Sequence, residues 1–261
     1  VYQVQTSEKI PTRVVLRAAG TAGHGSLPRP DNPVVHLARA ITRLADAEQP
    51  VVLNTTTRTY LKKMAGLADY AWLGPLLERL EDRAQAPSAA EEIRAREPNL
   101  DAMLHTTVSP TMLEAGMKIN IIPNSATAQV DVRRLPTETR EEVFARFRRI
   151  INDDAVELRQ EAGQQMPATE PSSMTTELYR AMEAEFGKAS PGSLVVPLMQ
   201  RGATDGSYLR AKGMAVYGVP VFASGPSEQR AHGNDERLAV GELSQGTDLL
   251  LRIVERVAIK P

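Results

Sequence analysis

The chain has 261 residues, with 31 Lys and Arg against 32 Asp and Glu, and a formal net charge of −1 at neutral pH. This balance argues against a nucleic-acid-coating protein or a polybasic membrane binder, because both need a strong excess of positive charge. The hydrophobic fraction of 42% suffices for one large or two modest domains. The absence of cysteine excludes disulfides and thiolate metal sites, and it favours a reducing compartment such as the cytoplasm. No apolar stretch approaches the roughly 18 residues of a membrane span.

The first two thirds of the chain alternate between strand and helix patterns. Residues 13–18 alternate between apolar and polar, which predicts a strand, and a Gly- and Pro-rich loop follows over 20–30. Asn32 can cap a helix that has Pro33 at its first position. A strand is expected over 51–57, followed by a helical insertion over about 60–96.

A second strand and helix series follows the insertion. Strands are expected over 106–114 and 125–133, a helix capped by Thr137 comes next, and a last strand covers 156–161. The resulting order β-α-β-β-α-β predicts a ferredoxin-like α+β layer. After a polar linker at 163–176, helices and apolar runs alternate as in an α/β domain, but with too few strands for a complete sheet.

Three short motifs could carry chemistry. His24 lies between two glycines, which allow close approach of a ligand to the backbone, although a plain surface turn explains it equally well. The turn at 202–206 follows an apolar run and could hold an anion, or serve simply as a capped turn. His232 stands near Asp235 and Glu236, but one histidine does not make a zinc site, which needs about three protein ligands.

The other two histidines have no motif around them. His36 is expected on the solvent side of the first helix without a partner, and His105 is expected to be structural. The sequence has neither the Gly-x-Ser-x-Gly motif of a nucleophile-elbow hydrolase nor a glycine-rich nucleotide-binding loop.

Taken in order, the motifs resemble one family. The matching pieces are residues 18–26 (AAGTAGHGS), 120–126 (NIIPNSA) running into 131–133 (DVR), 202–205 (GATD) and 231–236 (AHGNDE). Together they resemble the di-zinc metallopeptidases and deacylases of peptidase family M20, which include aminoacylase and carboxypeptidase S. The resemblance covers nearly the whole chain, and the insertion together with the Gly-His-Gly-Ser form is most similar to the carboxypeptidase S-like branch.

The resemblance implies a fold with two parts. An α/β zinc-peptidase catalytic domain is interrupted by a lid, a four-stranded antiparallel sheet with two helices that forms the dimer interface. Residues 1–10 would end the first catalytic segment, residues 11–164 would be the lid, and residues 165–261 would be the C-terminal part of the catalytic domain.

The resemblance also implies a role for individual residues. His232 matches a zinc ligand, and His24 matches the lid histidine that reaches the active site of the partner subunit and stabilises the carbonyl oxyanion. It implies that the carboxylate of the substrate is held by side chains or backbone groups of Asn120, Arg133, Gly202, Ala203 and Thr204.

The sequence departs from the family at the metal site. The first zinc histidine, the bridging aspartate and the Glu-Glu pair have no counterpart, so we expect a fragment that binds neither of the two zinc ions stably and is inactive alone. The complete protein is expected to be a homodimeric, zinc-dependent hydrolase of a peptide or an N-acyl amino acid, with no nucleic-acid or membrane partner. The alternative is a non-catalytic dimerisation or binding module derived from that family.

Overall fold

Strands and helices alternate along the chain in the computed structural model, which describes residues 1–161, 163, 166–222 and 233–259. The strands are β1 (Tyr2–Glu8), β2 (Ile10–Ala19), β3 (Gly23–His24), β4 (Thr107–Ala115), β5 (Ile121–Ile122), β6 (Ser125–Arg134), β7 (Val156–Gln160) and β8 (Val195–Gln200). The helices are α1 (Pro33–Asp46), α2 (Thr55–Met64), α3 (Gly74–Glu81), α4 (Ala86–Arg96), α5 (Pro98–Asp101), α6 (Arg140–Ile151), α7 (Glu177–Ala189), α8 (Gly206–Arg210) and α9 (Val240–Ala258), with a 3₁₀ helix at Ala68–Leu73.

The larger sheet has four antiparallel strands in the order β4-β6-β2-β7. Together with α1 and α6 this is the ferredoxin-like layer predicted from the sequence, and the prediction is confirmed. Strand β6 buries every second residue, as its alternating pattern requires. Its buried side chains pack with both helices into one core, which includes Val130, Val132, Leu37 and Phe147.

The two helices of this layer begin at capping residues. Asn32 accepts a hydrogen bond from the backbone N–H of Val34, as predicted. Helix α6 is capped by Thr139, so the prediction of Thr137 was wrong by two residues. The reason is that Thr139 has Glu142 three residues later, and the two form a reciprocal capping box that Thr137 cannot form.

The insertion is helical from Thr55 onward and packs against the C-terminal part of the chain. Residues 51–54 have no regular structure, so the strand expected over 51–57 was wrong. Although this run is rich in β-branched residues, Asn54 and Thr57 form a capping box that starts α2. Leucines of the insertion such as Leu73 and Leu76 share a core with Val196 and Met199 of β8.

The smaller sheet contains the parallel pair β1 and β8, with α7 and α9 packed beside it. The apolar run at 215–222 is not a strand: within the described residues it forms no more than an isolated bridge between Gly218 and Gln5. Parallel sheets are normally covered on both faces. Here α9 leaves several large apolar side chains exposed, namely Val240, Leu243, Leu251 and Val254.

A single residue joins the β1–β8 pair to the four-stranded sheet. Strand β1 ends at Glu8, strand β2 begins at Ile10, and Lys9 between them is buried. The Lys9 ammonium donates to the carbonyl oxygens of Ala102 and His105, both at 2.9 Å, and to the Thr107 hydroxyl at 3.1 Å. Burial lowers the pKa of Lys9 to about 7.

No helix among the described residues is long and apolar enough to cross a bilayer.

Candidate functional site

His24 and Asn120 lie side by side at one end of the larger sheet. Strand β3, which contains His24, pairs with β5, and the backbone N–H of Gly25 donates to the carbonyl oxygen of Asn120 at 2.8 Å. A side chain on Gly25 would begin 3.3 Å from the Asn120 backbone, so glycine permits this approach. Two residues that were separate motifs in the sequence therefore form one exposed cluster, which we call the tip cluster (His24 and Asn120).

The loop that carries His24 is fixed at its base by Asp31. The Asp31 carboxylate accepts hydrogen bonds from the backbone N–H of Thr21 at 2.9 Å and from Nε of Arg29 at 3.1 Å. The hydrogen bonds from Thr21 hold the pKa of Asp31 at about 2, so the carboxylate stays charged at neutral pH. Gly20 closes the loop, because a Cβ there would lie 1.9 Å from the Asp31 carbonyl oxygen.

Arg133 lies on the face of the larger sheet opposite its helices. Its guanidinium is paired with Asp131 on the same strand, with Nε to Oδ1 at 2.9 Å and Nη2 to Oδ2 at 3.0 Å. Both side chains are about one third exposed and line a cavity of about 370 Å³ together with Pro11, Arg13 and Gln129. The guanidinium therefore faces open space while Asp131 offsets part of its charge.

The turn at 202–204 is bound to an internal carboxylate that the sequence did not indicate. Oε2 of Glu8 accepts hydrogen bonds from the backbone N–H of Thr204 at 2.7 Å and from its hydroxyl at 2.6 Å. Oε1 of Glu8 accepts from Nη2 of Arg210 at 2.5 Å, and both of these side chains are buried. Burial lowers the pKa of Arg210 and Glu8 opposes that shift. Both hydrogen-bond donors of Thr204 are therefore bonded to Glu8. The backbone N–H groups of Gly202 and Ala203 donate to no other described residue.

The candidate residues form two groups at opposite ends of one strand. Arg133 pairs with Pro11, which follows Glu8 by three residues, and Glu8 binds the Thr204 turn; we call Arg133 with residues 202–204 the junction cluster. The tip cluster adjoins the other end of β6, where Gly20 donates to the carbonyl of Asn124. From Ser125 to Arg133 the strand advances eight steps (133 − 125), or about 26 Å at about 3.3 Å per residue.

The predicted metal ligand His232 lies outside the described residues. Among the residues that are described, no three His, Asp or Glu side chains come together in a way that could hold a metal ion. A catalytic zinc ion needs about three protein ligands. The described part of the chain therefore does not fit a zinc ion by itself.

His36 has partners, so its predicted position in solvent was wrong. Its side chain is 20% exposed, with Nδ1 2.7 Å from Oδ2 of Asp153 and Nε2 3.1 Å from the carbonyl oxygen of Pro30. Both partners accept hydrogen bonds, so the doubly protonated ring is favoured and the bond to Asp153 raises the pKa of His36. His105 is buried beside Asp101, at 3.5 Å, and burial lowers the pKa of His105.

The His36–Asp153 pair predicts a specific pH dependence of stability. Since folding raises the pKa of His36 above 6.5, its contribution is fully present below that pH and is lost as the pH rises through the raised pKa. The difference in free energy of unfolding between wild type and His36→Gln should be constant below pH 6.5 and shrink above it. Urea titrations across this range measure it. Asp153→Asn should abolish the same dependence, and parallel curves for wild type and His36→Gln would contradict the assignment.

Fold and site together define a dimerisation-type lid joined to part of an α/β domain. A family model described as the peptidase dimerisation domain, of the M20 peptidases, matches residues 7–159. The chain therefore belongs to the M20 peptidase dimerisation-domain family.

Known relatives support this assignment along nearly the whole chain. The probable carboxypeptidase S-like 2 of Dictyostelium discoideum is 24% identical over 98% of this chain and 48% of its own length. The human N-fatty-acyl-amino acid synthase/hydrolase PM20D1 is 24% identical over 97% of this chain and 50% of its own length. The chain thus spans about half the length of these curated relatives.

A solved structure shares the fold. The M20 family metallo-carboxypeptidase Sso-CP2 from Sulfolobus solfataricus superimposes with a TM-score of 0.66 and 17% identity, over 99% of this chain and 61% of that protein. The likeness extends beyond residues 7–159, so it includes the α/β part as well as the lid.

Proposed function

We propose that this chain provides the lid and the C-terminal catalytic segment of a zinc-dependent amidohydrolase that cleaves an amide or peptide bond beside a free carboxylate. The observation that carries the proposal is the separation of the tip and junction clusters. A substrate carboxylate and its adjacent amide lie within a few ångströms of each other, whereas the two clusters of one chain adjoin opposite ends of strand β6, which are about 26 Å apart along the strand. One copy therefore cannot supply both clusters to the same substrate, but the tip cluster of a second copy can complete the junction cluster of the first.

In this arrangement the two clusters act on neighbouring groups of one substrate. The Arg133 guanidinium and the backbone N–H groups of Gly202 and Ala203 bind the carboxylate, with Thr204 held in place by Glu8. Asn120 of the second copy contributes to the same carboxylate, and His24 of the second copy donates a hydrogen bond to the carbonyl oxygen as negative charge develops on it. The names of the relatives support peptides and N-acyl amino acids as substrates.

The edge strand β4 is the surface we propose for the homodimer. It has one paired neighbour, β6, and carries Met112 and Leu113, which are 50% and 64% exposed. Helix α1 beside it exposes Val34 and Val35. An edge strand with exposed apolar side chains is a surface on which another chain can pair, here beyond the bulge between Pro110 and Met112.

We expect charged residues on this edge to disrupt the dimer. The double substitution Met112→Lys with Leu113→Lys places two like charges where the copies would meet, which should convert a dimer into a monomer in sedimentation velocity at equal concentration. Glu157→Lys, on the opposite edge strand β7, is the matched control and should remain dimeric. A wild-type chain that sediments as a strict monomer would remove the basis for a shared site.

In this proposal zinc is bound with the help of ligands that the described residues do not supply. Because the described residues do not form a ligand set, His232 would have to act with ligands from outside them. Because His232 alone in this sequence matches a zinc ligand of the family, we expect the 261-residue chain neither to retain zinc in stoichiometric amount nor to hydrolyse substrate.

The test compares this chain with the longest open reading frame that contains it. Zinc content by mass spectrometry and release of amino acid from N-acyl amino acids and dipeptides are measured for both. The longer protein should be active, and His24→Ala in it should lower kcat by about 10²–10³-fold. Turnover by the short chain would overturn the prediction of inactivity. A dimeric longer protein without zinc or activity would instead establish the alternative, a non-catalytic dimerisation module.

A further inference from the structure

Ser26 contacts the imidazole ring of His24 at a single nitrogen. The backbone N–H of Ser26 donates to Nδ1 at 3.2 Å, and the Ser26 hydroxyl lies 2.7 Å from the same atom. Both side chains are exposed, and no described residue is hydrogen-bonded to Nε2. The two ring nitrogens of His24 therefore have different surroundings.

The backbone amide decides which nitrogen carries the proton. The hydroxyl contact alone is ambiguous, because a serine can donate to a bare nitrogen or accept from a protonated one. A backbone N–H can only donate, so Nδ1 of His24 must present its lone pair to Ser26. A neutral imidazole whose Nδ1 is bare carries its proton on Nε2.

We propose that Ser26 is a positioning residue that fixes the Nε2–H tautomer of His24, so that His24 presents a hydrogen-bond donor to the substrate carbonyl oxygen. The inference rests on the proposed function for the identity of that acceptor, but the tautomer itself is a property of this chain alone. In the other tautomer Nε2 would present a lone pair to the carbonyl oxygen, and two acceptors repel each other. An imidazole without this contact exchanges between both tautomers.

The backbone turn around Ser26 keeps the N–H of Ser26 directed at Nδ1 of the His24 ring. Leu27 donates to the carbonyl oxygen of His24 at 2.9 Å, which closes a turn over residues 24–27. Gly25, inside that turn, is bonded to Asn120. The position of the Ser26 amide is therefore set by the same β3–β5 pairing that forms the tip cluster, and the contact persists whichever way the hydroxyl rotates.

The tautomer can be read directly from nitrogen-15 NMR spectra of the uniformly labelled chain. At a pH where the ring is neutral, we expect the Nδ1 resonance of His24 at the downfield position of a bare nitrogen and its Nε2 resonance at the position of a protonated one. A scalar coupling through the hydrogen bond should connect the Ser26 amide nitrogen with Nδ1. His36, whose nitrogens both face acceptors, gives a second histidine for comparison in the same spectrum.

Substitutions separate the two contacts. Ser26→Ala keeps the amide, so the Nε2–H tautomer and the coupling should remain, while Nδ1 shifts further downfield because it has lost one donor. Ser26→Pro removes the N–H, so the coupling should vanish and the Nδ1–H tautomer should appear. Ser244→Ala, an exposed serine on α9, is the matched control and should leave the His24 resonances unchanged.

Two results would overturn the inference. One is a substantial Nδ1–H population in the wild-type chain, and the other is an unchanged tautomer in a folded Ser26→Pro variant. If that variant does not fold, the wild-type coupling and the Ser26→Ala shift decide the question. A fixed Nε2–H tautomer in this chain, together with no hydrolase activity in the longest open reading frame that contains it, would refute the proposed function and leave this inference intact, so the two failures are distinguishable.

Discussion

Replacing Glu8 with alanine should lower the free energy of unfolding by about 3–5 kcal/mol, because it leaves a buried charge without its partner. The Glu8 and Arg210 side chains are 1% and 3% exposed, and the carboxylate also accepts both hydrogen bonds from Thr204. Urea denaturation followed by circular dichroism measures the effect. Glu8→Gln keeps the shape and some of the bonds, so its effect should be smaller.

The matched control is a carboxylate whose arginine partner is in solvent. Glu161 pairs with Arg13 at 3.5 Å, with side chains that are 37% and 78% exposed. Exposed ion pairs contribute about 0–1 kcal/mol, so Glu161→Ala should change stability by no more than that. If Glu8→Ala proves as mild as Glu161→Ala, the buried network contributes little and Thr204 is held by the turn itself.

The second large effect is expected in the core of the lid. Phe147 on α6 is fully buried between the helices and the four-stranded sheet, and Phe147→Ala should lower the free energy of unfolding by about 3–5 kcal/mol. The cost combines the lost burial of the ring with the cavity that its removal leaves. Differential scanning calorimetry would record the change.

Two neighbouring variants test whether the loss comes from packing. Phe147→Leu retains much of the volume and should be clearly milder than the alanine variant. Arg148→Ala changes the next residue, which is exposed, and should stay within about 0.5 kcal/mol of wild type. Equal losses in the alanine and leucine variants would indicate that the ring is not tightly packed.

The lid could be predicted from the sequence because its signals are local. Period-two burial in β6 and the Asn32 cap of α1 are each encoded within a few residues, and together with the element order they define a ferredoxin-like layer. The sequence predictions failed where two local signals competed. Residues 51–57 are rich in β-branched side chains, but the capping box of Asn54 and Thr57 converts part of this run into a helix.

The arrangement of the site could be predicted in part. The grouping of His24 with Asn120 depends on β3–β5 pairing between segments almost a hundred residues apart, and no local pattern encodes it. The contact of Glu8 with Arg210 spans 202 residues and likewise leaves no mark in either neighbourhood. The roles of Arg133, Gly202, Ala203 and Thr204 came from family resemblance and remain predictions.

The single residue between β1 and β2 has a mechanical consequence. Lys9 is bonded to the segment at 102–107 and its neighbour Glu8 to the 202–204 turn, so this covalent link between the sheets is clamped on both sides. A hinge needs residues whose backbone angles are free to change, and a clamped link of one residue has almost none. The link from the four-stranded sheet to the Glu8-bound turn at 202–204 is therefore short and stiff.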